Sequence, residues 1–138
     1  MIEPEFSQST SRGIELRLGD HWPGFNEALA DSVSTMPHRG EATTSLSTYW
    51  LDLLIGRLEN WSDEPGVEQS VISGNTTELV KVGDFVIARS LYELFDDERL
   101  PIVDLLPVLG RWRDQVTTNG EKFAIPETYR RAPFAVEG

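Results

Sequence analysis

The 138-residue sequence contains no cysteine. That excludes a disulfide framework and any thiolate metal site, and it fits a reducing compartment. Histidine is scarce: His21 and His38 lie far apart beside turn signals, outside any helical ligand motif, and read as surface or loop residues. Long apolar runs are missing too. Asp52, Gly56 and Asp104 interrupt the best candidates well short of the roughly 20 residues that a membrane-spanning helix needs. Met1 to Arg12 carries acidic and small polar residues where a secretory leader has basic residues and then an apolar core. The expectation is a soluble, cytoplasmic protein. Basic residues are the last shortage: 12 Lys and Arg against 23 Asp and Glu give a net charge of −11. Such a field repels phosphate backbones and anionic bilayers, so nucleic acid and membrane surfaces are excluded as partners, while encounter with a basic protein is accelerated.

What is present is ordinary for a packed domain, with 39% hydrophobic and 25% charged residues. Residues 1–12 lack any period and are expected to be a flexible tail, residues 13–126 a single α+β domain, and residues 127–138 an irregular C-terminal tail. Ile14, Leu16 and Leu18 alternate with Glu15 and Arg17, the period of a half-buried strand. Phe25, Ala28, Leu29 and Val33 recur at helical spacing and predict a helix over 24–34, closed by Pro37. Residues 38–44 read as a loop. Leu46, Trp50, Leu54, Leu58 and Trp61, widened by Leu51 and Ile55, suit a helix over 45–60 capped by Thr44 or Ser45. Tyr49-Leu51-Leu53-Ile55 would also suit a strand, but length favours the helix.

From residue 67 the pattern shortens to β-type runs. Val67–Ile72 and Thr77–Val82 flank a turn at Ser73–Thr76, and Gly83-Asp84 supplies the two-residue link of a type II′ hairpin. That link opposes Val82 to Phe85, Val80 to Ile87 and Glu78 to Arg89. The second strand is expected to run on to about Leu94, until Asp96–Arg99 interrupts it. Asp104 then caps a helix in which Pro107 comes early enough to lose no bond, Leu105, Leu106, Leu109, Trp112 and Val116 lie along one side, and Asn119-Gly120 is the stop. Lys122–Pro126 reads as a short edge strand or an extended packing segment. The fold class is therefore α+β: a small antiparallel sheet, with its central hairpin at about 77–94, packed against two or three helices.

Motifs for phosphate cradles, nucleophile elbows and calcium loops are all absent, and Gly74 and Gly83 fall where hairpins require them. Carboxylates are the only abundant reactive type. One group is Glu93, Asp96, Asp97 and Glu98; a second is Glu59, Asp63 and Glu64, at a helix C-terminus where negative charge opposes the dipole. Both are candidate contact surfaces for a basic partner, and no metal or cofactor is expected. Trp50, Trp61 and Trp112 fall on apolar helix faces and read as core; Trp22, beside Pro23, is open to either role. Tyr129-Arg130-Arg131 is too short for a nucleic-acid footprint and reads as an internal ion-pairing site.

The order Gly74-Asn75, hairpin, Leu91-Tyr92-Glu93-Leu94-Phe95, then Leu100–Leu106 with Leu109 and Trp112, resembles small bacterial immunity proteins of polymorphic and contact-dependent toxin systems. The similar portion spans residues 73–116. The resemblance implies a non-catalytic protein that binds and blocks a toxin domain through an acidic face; it carries over no individual binding residue. A small carboxylate and Mg²⁺-dependent enzyme is the second expectation, requiring several of those acids to converge. A structural homodimer subunit is the third.

Overall fold

The computed structural model describes residues 2–9, 12–37, 45–60 and 66–119. Nine elements follow in order: β1 (Glu5–Ser9), β2 (Gly13–Arg17), α1 (Pro23–Ser32), α2 (Tyr49–Asn60), β3 (Glu68–Ser73), β4 (Thr77–Val82), β5 (Phe85–Ser90), β6 (Glu98–Pro101) and α3 (Ile102–Asn119). Strands β1 and β2 form one antiparallel ribbon, and β3-β4-β5-β6 form a four-stranded antiparallel sheet against which the helices pack. The fold class is α+β, as its sequence pattern implies.

The β4–β5 hairpin has the register expected from its turn, with Val82 opposite Phe85, Val80 opposite Ile87 and Glu78 opposite Arg89. Gly83 has φ 58° and Asp84 is not in the left-handed region, which is the type II′ pattern. The helices cover the odd-numbered face of β4: Leu79, Val86, Ala88 and Leu100 join the core that includes Phe25, Leu29, Leu54, Leu105 and Leu109. The opposite face keeps Val80 buried, Phe85 and Ile87 half-buried, and Arg99 stacked 3.8 Å above the Phe85 ring. Lys81 lies in the core-facing row, 1% exposed, and its Nζ donates to the Gly83 carbonyl at 3.0 Å. In β3 a bulge between Ser70 and Ile72 turns Val71 fully inward, and Arg57 of α2 donates to the Val71 carbonyl at 2.6 Å.

Four expectations are corrected. Residues 5–9 are a strand rather than part of a flexible tail: Phe6 pairs with Leu16 across β1–β2 and packs on the core, beneath Arg111. Helix α2 starts at Tyr49, with the Thr48 carbonyl accepting the Asp52 amide, so the N-cap position is Thr48 rather than Ser45, and Thr44 lies outside the described residues. Strand β5 stops at Ser90, and the chain turns through residues 91–95 before re-entering the sheet as β6, which includes Glu98 and Arg99. Helix α3 starts at Ile102, whose amide donates to the Asp84 carbonyl at 2.8 Å, so Pro107 falls in its second turn and deletes the bond that residue 107 would make to the Val103 carbonyl.

The ribbon is fastened to the rest by polar side chains. Trp112 is buried on α3 and its Nε1 donates to the Ile14 carbonyl at 2.8 Å, while Thr35 Oγ1 accepts the Ile14 amide at 2.9 Å. Gly13 has φ 76°, and a side chain there would collide with Thr35 Oγ1. Residues 38–44, Trp61, Asp63, Glu64, Lys122–Pro126 and Tyr129-Arg130-Arg131 lie outside the described residues, and with them the corresponding expectations.

Candidate functional site

The hydroxyl of Ser90, at the buried end of β5, accepts the amides of Leu94 at 2.8 Å and of Tyr92 at 3.3 Å. A serine side chain that accepts amides ahead of it in sequence folds the chain over itself, ending the strand. Glu93 completes the reversal in the left-handed region at φ 57°, a conformation that costs a non-glycine residue about 1 kcal/mol. Beyond it Phe95 packs back onto α1 so closely that a Cβ on Gly24 would lie 2.8 Å from its ring. Arg89 Nε then holds Asp97 at 3.3 Å. The loop is thus pinned at its start, middle and end.

A pinned loop presents whatever it cannot bury. Leu91, Tyr92 and Leu94 are 47%, 67% and 75% exposed. Adjacent large apolar side chains held in water by a preorganised backbone mark an interaction surface. Glu93 and Asp96 are exposed beside them and make no ion pair among the described residues. The patch therefore combines an apolar tip with exposed carboxylates, the pairing of core and charged rim that protein interfaces use.

The other acids named from sequence have different fates. Glu98 turns inward: its two carboxylate oxygens accept the amides of Gly24 at 2.7 Å and Phe25 at 2.9 Å. It caps α1, whose own N-cap residue, Trp22, makes no side-chain cap bond. Asp97 joins a network in which Arg89 also meets Glu68 at 3.4 Å and Glu78 at 3.8 Å. The Glu68 hydrogen bond leads in raising the Arg89 pKa above its ordinary value. Glu59 is exposed on the last turn of α2, apart from the loop in sequence and fold. No set of three or more acids or histidines among the described residues is placed to share an ion.

Two features were missed from sequence. The exposed apolar residues of the loop passed as strand alternation. Asp31, at the end of α1, accepts from Thr76 N at 2.9 Å, Thr77 N at 3.0 Å and Thr77 Oγ1 at 2.8 Å, and so holds the β3–β4 turn. Gly74 is required there, because a Cβ would overlap the Asp31 carboxylate. Burial is the largest influence on Asp31 and opposes ionisation, but the amides of Thr76, Asn75 and Thr77 with the Thr77 hydroxyl outweigh it and lower the pKa. A cleft of about 330 Å³ beside it has Leu16, Val33 and Trp112 among its walls; Arg12 at its rim already pairs with Glu15 at 3.3 Å.

No family model matches the chain, and no curated protein or solved structure matches it. No helix among the described residues is long and apolar enough to cross a membrane.

Proposed function

We propose that the chain is a non-catalytic, cytoplasmic protein-binding module that docks a basic protein through the 91–97 loop, with the immunity-type, toxin-neutralising role as its physiological form. The observation that carries this reading is the rigid exposure of Leu91, Tyr92 and Leu94 beside Glu93 and Asp96. A net charge of −11 favours a basic occupant and opposes a second copy of the chain, which removes support from the homodimer reading.

The test is capture from a lysate of the source cells on the immobilised chain. One basic protein should be retained at low salt, released as salt rises, and lost to Tyr92→Gln and to the double variant Glu93→Gln, Asp96→Asn, while Asp114→Asn on the far end of α3 leaves it bound. Capture indifferent to both loop variants would sink the proposal.

A further inference from the structure

The loop leads directly into β6, and along the outer side of that strand lies a cavity of about 560 Å³ walled by Trp22, Leu100, Pro101, Val103 and Val108. Resting on the loop reading above, we propose that this cavity receives a bulky apolar side chain of the same basic partner, the anchor of the interface that the loop begins.

Three observations carry the step. The cavity adjoins the loop along the chain: the loop runs straight into β6, whose Arg99, Leu100 and Pro101 line the cavity, Glu98 bonds the α1 amides next to Trp22, and Phe95 packs on the same turn of α1. Pro101 lies four residues beyond Asp97, about 13 Å along the strand, well inside the footprint of one partner. Second, the walls are mainly apolar, and Val103 at the mouth is 75% exposed on the first turn of α3. A packed helix face gains nothing from an aliphatic residue in water there; under a partner it becomes part of the dry centre. Third, Asp104 joins Val103 at the mouth, and Asp84 and Asp96 at either end of β5–β6 are exposed. Arg99 is the cation at the rim, and it is already stacked on Phe85. The acids that remain suit a partner whose anchor is flanked by Lys or Arg. Trp22 lines the cavity, and its Nε1 is buried with no hydrogen-bond partner among the described residues, so its indole resonance reports on the cavity wall.

N-acetyl-tryptophanamide serves as the probe for an aromatic anchor. Added to the isotope-labelled chain, it should move the Trp22 indole resonance saturably at millimolar concentration while that of Trp112 stays in place, and Val103→Gln should weaken this binding about fivefold. No saturable shift at Trp22 overturns the assignment. The comparison with the loop separates the two readings, because Val103 and Leu94 are equally exposed at 75% and neither substitution should disturb folding. If Leu94→Gln and Val103→Gln both weaken capture of one basic protein by tenfold or so, the cavity is part of its interface. If only Leu94→Gln does, the cavity assignment is overturned and the loop reading stands. If Leu94→Gln has no effect, the loop reading falls and this one with it.

Discussion

A carboxylate that accepts two backbone amides and a hydroxyl holds its charge more firmly than one in water, and Asp31 is such a group. Its folded-state pKa lies below its unfolded one, so the stabilisation is complete above the unfolded value of about 3.9 and is lost as pH falls through the folded value. Asp31→Asn should cost about 1–2 kcal/mol at neutral pH, and that difference should shrink as pH falls through the folded value and the Asp31 carboxyl takes up its proton. Urea denaturation at pH 7 and at low pH checks this, and a constant difference would show that charge plays no part. Glu98 makes the complementary case, because a single side chain from β6 supplies the cap that α1 lacks. Glu98→Gln keeps one acceptor but removes the charge from the positive end of the helix dipole, at a cost of about 0.5–1 kcal/mol in a melt. The same variant should bind the partner as wild type does, since the carboxylate faces inward.

At the scale of elements, the 91–97 loop is the piece whose conformation depends on one hydroxyl. Ser90→Ala should cost about 1 kcal/mol and accelerate hydrogen exchange at the Tyr92 and Leu94 amides, while the β4–β5 hairpin amides stay protected. The same hydroxyl explains why this region misled a reading of the sequence: Leu91 and Tyr92 continue the apolar run of β5, and nothing in the spacing announces that Ser90 will fold the backbone. Where a local rule decided the outcome, the sequence was legible. Gly83 fixed the hairpin register, and Phe25, Ala28, Leu29, then Leu51, Leu54, Ile55, Leu58, wrote two helix faces. Where pairing partners decided it, it was not. Strand β1 has one apolar residue, Phe6, and β6 is half charged; each is a strand because a neighbour offers it an open edge. The acidic run was visible as a run, but which acids face water and which cap a helix depends on the turn that precedes them.

Over the whole molecule, the described arginines are largely spent on internal pairs: Arg12 with Glu15, Arg17 with Asp20, Arg113 with Asp52, and Arg89 with Glu68, Glu78 and Asp97. Exposed pairs of this kind add little stability, so their main consequence is electrostatic, leaving an excess of carboxylates to set the outer field. The proposed interface divides that field from its contacts. Glu93 and Asp96 act at long range on the approach of a basic partner, whereas Leu94 and Tyr92 act only after contact, when their surface leaves water. The two kinds of variant should therefore separate in kinetics. Glu93→Gln with Asp96→Asn should slow association several-fold at low salt, with the difference fading as ionic strength rises past about 0.15 M, where the screening length falls to about 8 Å. Leu94→Gln should leave association nearly unchanged and speed dissociation about tenfold at every salt concentration, as expected when most affinity change resides in the off-rate. Surface-plasmon measurements with the captured partner across a salt series read both rates. If Leu94→Gln instead slowed association with the same salt dependence as the charge variants, the loop would be steering rather than anchoring, and the apolar tip would lose its role as the contact.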